Sequence, residues 1–205
     1  NTIGGEVFDK QDVFRPSAYY YYDYPSPLAT DYLAYLLFQV EVNRKWTTKP
    51  IIPFVWLRYS YTAGLAKKFI KPFMAEATAI FPFFSGASGL WLWEDPSSFN
   101  NEECYANYEH FIHGLYRLSQ FKDMFTGNYE LVIATTAREY VDTQKPIWRA
   151  VAKDNFLLVA AQNPYAKSET EIVDVPIAYK NYKTTVLLKG YEVFLCKFDV
   201  NLLAN

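Results

Sequence analysis

Apolar positions follow two different periods along this chain, and the period changes near residue 126. In the first part, short apolar runs alternate with segments whose apolar residues recur at helical spacing. The run at 51–59 is apolar on both faces, which is typical of a parallel strand covered on both sides, whereas residues 28–45 carry one helical stripe. The predicted order is βαβαβα, with strands at 18–24, 51–59 and 89–93 and helices at 28–45, 71–84 and 101–125.

This order predicts right-handed crossovers and a parallel sheet with helices packed on it. A closed (β/α)8 barrel has eight such units, and this chain has three. The three units are therefore either the last three of a barrel or a small three-layer sheet. We assign residues 1–125 to this α/β part.

After residue 126 the chain consists of short apolar segments separated by turn-forming pairs such as Asn163-Pro164. No helix fits between these segments, so the pattern predicts an antiparallel β-sandwich or a small antiparallel sheet over residues 126–205. The predicted strands are at 131–134, 147–152, 156–161, 172–178, 184–188 and 192–198.

Composition narrows the classes of function. Hydrophobic residues make up 51% and charged residues 20%, which predicts a folded core. The formal net charge of −2 gives no basic footprint, so we expect no nucleic-acid partner. No apolar run reaches the length of a membrane span.

Cys104 and Cys196 make no disulfide framework, and two buried free thiols are favoured over a single bridge. No signal peptide is visible. The sequence therefore does not assign a cellular compartment, and a secreted or periplasmic location is one of the alternatives.

Aromatic residues are abundant and unevenly placed. The chain has 39 of them, 29 before residue 126. Aromatic rings provide large, flat apolar surfaces, and the hydroxyl of tyrosine and the indole N–H of tryptophan also form hydrogen bonds. A carbohydrate needs both kinds of contact, because a pyranose ring has apolar faces and an edge of hydroxyl groups.

The candidate chemistry lies where the predicted parallel strands end, since ligands bind at the carboxyl ends of strands in such folds. Asp23 and Glu94 are the candidate catalytic carboxylates, because carboxylates act as acid, base or nucleophile on a glycosidic bond. We expect no cofactor and no metal, since no phosphate loop, nucleophile elbow or zinc signature occurs. The candidate substrate-binding residues at the same strand ends are Tyr22, Arg58, Tyr59, Tyr61, Trp93 and Asp95.

Each candidate also has a purely structural interpretation. Asp23 precedes a Pro-Ser-Pro turn and would serve to cap it. Arg58 would form an ion pair with a nearby carboxylate. Trp91 is expected in the core, while Trp93 is equally suited to packing and to ligand contact. His110 and His113 are expected to have packing or surface roles, because no acid or cysteine close in the sequence completes a metal site.

A family resemblance rests on the segment around the third strand. The helix that contains Glu76, the Gly-Ala-Ser-Gly turn at 86–89 and the strand that ends in Trp93 resemble the last helix–strand unit of a glycoside-hydrolase barrel, and hyaluronidases are similar there. Residues 53–59 resemble the preceding strand of such barrels. The segments at 148–163 and 190–196 resemble strands of the C-terminal sandwich that many glycosidases carry.

The resemblance implies the last three βα units of a barrel followed by a β-sandwich, acting on a carbohydrate. It matches Trp93 to the tryptophan that lines the sugar site and Tyr59 to a sugar-contacting position. The family's Asp-x-Glu motif occurs nowhere in this chain, so its catalytic acid is not carried over. The resemblance then implies that the earlier strands are missing, and we expect a half-barrel polypeptide or self-association to complete the fold.

Two functions follow as hypotheses. The first is the C-terminal portion of a glycoside hydrolase that cleaves a poly- or oligosaccharide with carboxylate assistance. The alternative is a non-catalytic carbohydrate-binding or surface-interaction protein. A purely structural α/β protein, with every ring in its core, is a third.

Overall fold

A computed structural model describes residues 9–20, 32–60, 68–93 and 102–201. Its α/β part contains β1 (Ser17–Tyr20), α1 (Tyr32–Trp46), β2 (Phe54–Tyr59), α2 (Pro72–Phe84), β3 (Trp91–Leu92) and α3 (Glu102–Ser119). After a 3-10 helix (Lys122–Phe125) come β4 (Glu130–Val132), α4 (Ala137–Thr143), β5 (Ile147–Lys153), β6 (Phe156–Gln162), β7 (Ile172–Tyr179), β8 (Tyr182–Lys189) and β9 (Phe194–Asp199).

The first sheet is parallel, with the strands in the order β1-β2-β3. Ser17 pairs with Phe54, and Phe54 pairs with Trp91 on its other side. Each of these strands is followed by a helix, so the predicted βαβαβα order and the mixed α/β plus β composition are confirmed. The predicted strand residues 21–24 and helix residues 28–31 lie outside the described residues.

Helix α2 is the central apolar helix of this part. It begins with Pro72 in its first turn, where a missing backbone N–H costs nothing. It ends at Phe84 with Ser85 as its C-cap, and Gly86 follows with φ of +101°, a conformation that glycine adopts without strain. Nine of its 13 residues are buried, because it packs against the first sheet, α3 and the second sheet.

Helix α3 crosses α2 at very close range. A Cβ added to Gly114 would lie 2.9 Å from the Cβ of Ala79 and 2.9 Å from the carbonyl oxygen of Glu76. Only glycine permits this approach, so the position of α3 depends on the absence of a side chain at residue 114.

The second part contains a four-stranded antiparallel sheet in the order β4-β5-β6-β9 and a separate β7–β8 hairpin. Alternate residues of β5 and β6 point to opposite faces of the sheet and pack in two different cores. Val151 and Leu158 belong to the principal core with α2, while Ala150 and Val159 pack against the hairpin. Both strands are therefore buried along nearly their whole length.

The expectation that no helix lies in the second part was wrong. Helix α4 follows β4, and a capping box starts it: the Thr136 side chain accepts from the Glu139 backbone N–H, and the Glu139 carboxylate accepts from the Thr136 backbone N–H at 2.7 Å. This Thr-x-x-Glu spacing is a helix-start signal. Its apolar periodicity is weak because the helix has only seven residues.

One core extends across the predicted boundary between residues 125 and 126. The largest buried cluster includes Leu37 and Phe81 from the first part together with Tyr140, Val151 and Leu158 from the second. The two parts therefore bury apolar surface against each other, while their division into two domains stays a prediction.

Cys104 and Cys196 are both free, but only one of the two thiols is buried, whereas two buried free thiols were expected. Cys104 is fully buried, whereas Cys196 is half-buried on β9, the last strand of its sheet. Of the helices in the described parts of the chain, none is long and apolar enough to cross a membrane.

Candidate functional site

The two faces of the parallel sheet differ in how deeply their side chains are buried. Side chains alternate between the faces of a strand, and Val55, Leu57 and Tyr59 of β2 point into the core beneath α1 and α2. The opposite side carries residues that are only half-buried or exposed. We call this second side the open face, and its side chains are Tyr19, Phe54, Trp56, Arg58, Trp91 and Trp93.

The rings of the open face form a connected group. Phe54 contacts two tryptophans of the neighbouring strand segment, with centroid distances of 5.7 Å to Trp91 and 5.5 Å to Trp93. Tyr19 and Trp56 meet edge to face at 5.9 Å. Trp91 is 46% exposed and Trp93 is 54% exposed, so both retain surface for a ligand. Edge-to-face contacts orient the rings relative to one another, which presents a shaped apolar surface to solvent.

Arg58 is fixed at the carboxyl end of this face. Its guanidinium carbon lies 3.7 Å from the centroid of Phe69. Backbone hydrogen bonds hold the Phe69 segment against β2, since Tyr59 N donates to Lys68 O at 2.8 Å and Ile70 N donates to Leu57 O at 3.1 Å. The guanidinium therefore makes a cation–π contact with a ring that is itself held against β2.

Tyr59 lies on the covered side, although the sequence analysis placed it among the substrate contacts. Its side chain is 0% exposed, and its hydroxyl donates to Met74 Sδ at 3.5 Å. The physical reason is strand alternation, because neighbouring Arg58 and Tyr59 must point to opposite faces. Tyr20 on β1 behaves alike: its hydroxyl is hydrogen-bonded to Thr78, and burial raises the pKa of Tyr20 well above its ordinary value.

Trp91 is exposed, which corrects the expectation that it packs in the core. The alternation Trp91, Leu92, Trp93 was recognised from the sequence, but the tryptophan face was assigned to the wrong side. Leu92 is the residue that packs against the core. The i, i+2 spacing within β2 and β3 could have identified the whole open face, including Phe54 and Trp56, had one face of the sheet been assumed to be uncovered.

The remaining predicted site residues fall outside the described residues. These are the two candidate carboxylates and three candidate substrate contacts: Asp23, Glu94, Tyr22, Tyr61 and Asp95. Arg58 and Trp93 are described, and both lie on the open face.

A second polar group joins α2 to α3. Glu76 Oε1 accepts from Arg117 Nη1 at 2.6 Å and lies 3.4 Å from His113 Nδ1. Arg117 Nη1 also donates to Val193 O at 2.9 Å, which ties both helices to the chain before β9. The acid that the sequence analysis did not find near His113 is thus supplied by another helix. Within the described ranges, no group of three or more His, Cys, Asp or Glu residues could hold a metal ion.

Comparison with solved structures shows a distant likeness to hyaluronidase. No protein-family model matches the chain, and no curated protein sequence matches it. Bee venom hyaluronidase in a monoclinic crystal form is similar at 21% identity and a TM-score of 0.36, and its complex with a hyaluronic acid tetramer is similar at 20% and 0.37. Each alignment covers 52% of this chain and 34% or 33% of the hyaluronidase chain. The aligned region is about a third of the length of these hyaluronidases and about half of this chain. The structural resemblance over that region is distant.

Proposed function

We propose that this chain is the C-terminal portion of a glycoside hydrolase and that its open face contributes to binding a poly- or oligosaccharide. The observation that carries this proposal is the pair of exposed tryptophans, Trp91 and Trp93, which both contact the Phe54 ring. Flat, exposed rings match the apolar faces of pyranose units. Arg58, a candidate substrate contact, lies at the carboxyl end of the same face.

The architecture supports the same proposal. Parallel strands with helices on one side are the repeating units of a (β/α) barrel, whose interior is formed by the other side of the sheet. In this proposal β1 to β3 with their helices are the last three units, and the antiparallel part is the sandwich that follows. Parallel sheets are normally covered on both faces. The proposal therefore includes a polypeptide that completes the barrel, either a separate N-terminal half or a second copy.

The proposed reaction is hydrolysis of a glycosidic bond. One carboxylic acid protonates the leaving-group oxygen, the second carboxylate acts as base or nucleophile, and one water is consumed. The proposal assigns these roles to Asp23 and Glu94, which follow β1 and β3 in the sequence, or to one of them together with a carboxylate of the completing polypeptide.

Carbohydrate binding without catalysis is the second candidate function. One observation favours it: the ring surface of Phe54, Trp91 and Trp93 is assembled from described residues of this chain alone. A stacking surface that is complete by itself binds a glycan whether or not a carboxylate pair is assembled beside it.

A polysaccharide titration combined with an assay of reducing-sugar release separates these functions. Trp93→Ala is expected to weaken binding, whereas Trp46→Ala, a matched change at an exposed tryptophan at the end of α1, is expected to leave it unchanged. Loss of sugar release in Glu94→Gln or Asp23→Asn with binding retained supports the hydrolase. Binding without release in the unmodified chain and in both variants supports the non-catalytic function. Equal binding by the Trp93 and Trp46 variants would contradict a glycan site on the open face.

A further inference from the structure

A cavity open to solvent lies at the amino end of β1, beside the amino end of the open face, where Ser17, Phe54 and Trp91 are in register. Its volume is about 690 Å³, within the range of small-molecule sites. Of the residues that the structure describes, those that line it are 11–16, which precede β1, and Asn43 of α1. The lining combines polar side chains (Gln11, Asp12, Arg15 and Asn43) with apolar ones (Val13, Phe14 and Pro16).

The wall of this cavity is held in place from beneath. Phe14 is buried with Val40 and Ile51, and its backbone pairs with the strand region before β2: Phe14 N donates to Pro50 O at 2.9 Å, and Ile52 N donates to Phe14 O at 2.8 Å. Lys49 Nζ donates to the carbonyl oxygens of Asp9 at 2.9 Å and Gln11 at 2.6 Å. A site framed by backbone hydrogen bonds and a buried ring is largely pre-formed, which reduces the entropy lost on binding.

The polar side chains of this cavity have donors and acceptors that make no hydrogen bond to a described residue. Asn43 uses one N–H to donate to Gln39 O at 2.8 Å, and this bond orients its amide. The side chains of Gln11, Asp12 and Arg15 make no hydrogen bond or ion pair with any residue that the structure describes.

Arg15 also connects the cavity to the open face. Its guanidinium carbon lies 4.6 Å from the centroid of Trp91. This cation–π contact places the guanidinium beside the indole ring, and its five N–H donors make no hydrogen bond to any described residue.

The charges of the lining decide the class of ligand. Asp12 offers only acceptors, Arg15 only donors, and the two amides offer both, so the formal charges cancel. An anion would gain from Arg15 but meet the Asp12 carboxylate, and a cation would meet the reverse. A neutral molecule with many hydroxyl groups, each able to donate and accept, satisfies all four side chains. We propose that this cavity is a second carbohydrate site beside the open face, which takes a neutral sugar unit and binds it without a contribution from Trp93.

The test is an NMR titration of the isotope-labelled full chain with D-glucose and with N-acetyl-D-glucosamine. We expect saturable shifts at the backbone amides of residues 11, 12, 13, 14 and 15 and of Asn43. Arg15→Met should weaken this binding by about tenfold or more, since it removes charged donors. Arg138→Met, at an exposed arginine of α4, is the matched control and should leave it unchanged.

Three outcomes would overturn the proposal. The first is the absence of saturable shifts at these amides with either sugar. The second is acetate shifting the same amides with equal or higher affinity, which would indicate an anion site. The third is loss of these shifts in Trp93→Ala, which would reduce the two sites to one. If the sugars still shift the cavity amides but polysaccharide does not shift the Trp93 indole signal, only the proposed function is contradicted.

Discussion

Replacing Arg149 by methionine should destabilise the fold by about 3–5 kcal/mol, because it leaves a buried carboxylate without its counter-charge. The Arg149 side chain is 0% exposed on β5, and Glu41 of α1 is nearly as buried. Arg149 donates to Glu41 Oε1 from Nη2 at 2.6 Å and from Nε at 3.0 Å. This ion pair joins the helix-covered first part of the chain to the second sheet.

The environment of the Glu41 carboxylate sets the size of this effect. Ser85 Oγ donates to Oε1 at 3.0 Å, and the backbone N–H of Ala137 donates to Oε2 at 2.9 Å. These neutral donors remain after Arg149 is replaced, but they do not neutralise a full charge. Glu41→Gln removes the charge and keeps one carbonyl oxygen, which can accept from the Ala137 N–H while the amide NH2 donates to Ser85 Oγ. The double variant Arg149→Met with Glu41→Gln is therefore expected to recover at least about 1 kcal/mol relative to Arg149→Met alone.

Urea unfolding of the four proteins of this double-mutant cycle measures the coupling directly. Arg138→Met on α4 is the control, since its ion pair with Asp142 is exposed and should contribute less than about 1 kcal/mol. The reasoning is refuted if Arg149→Met costs no more than this control. A double variant no more stable than Arg149→Met would likewise show that the charge of Glu41 is not what the arginine offsets.

Three further changes test local packing, capping and backbone geometry. Gly114→Ala should lower the stability by about 1–3 kcal/mol and lower the melting temperature, because its Cβ would overlap Ala79, whereas Gly89→Ala meets only ordinary contacts and should change little. Thr136→Ala should cost about 1 kcal/mol and raise amide exchange in α4. Hydrogen bonds from Thr136 lower the pKa of Glu139, so their contribution is present at neutral pH and should be lost in acid unfolding curves as the pH falls through that lowered pKa. Gly190→Ala should reduce the urea midpoint, since its φ is +51° and the new Cβ would lie 2.5 Å from Glu169 O.

The long periodic elements could be predicted from the sequence because each has one clear period. Helix α2 was predicted at 71–84 and spans Pro72–Phe84, and β5 and β6 were predicted to within one residue. Helix α4 was missed, because seven residues show too little periodicity and its signal lies in the cap. Arg149 was taken as one more strand residue, and its partner is 108 positions away in the sequence.

The candidate site was likewise predicted only in part from the sequence. The sequence placed Arg58 and Trp93 at strand ends, and both lie on the open face. It could not tell which face of β2 and β3 the helices cover, because an apolar run has no polar side to mark solvent. Tyr59 and Trp91 were consequently assigned to the opposite sides of the sheet from those they occupy.

By itself, the order of apolar periods determined the succession of strands and helices, the parallel sheet in the first part and the antiparallel strands in the second. Those features depend on contacts close in sequence and on the alternation of side chains. The tertiary structure alone decided which aromatic rings are buried, how Glu41 and Arg149 meet, and where the polar cavity beside Arg15 lies. Each of these depends on the packing of one layer on another, which joins residues far apart in the chain and leaves no local pattern.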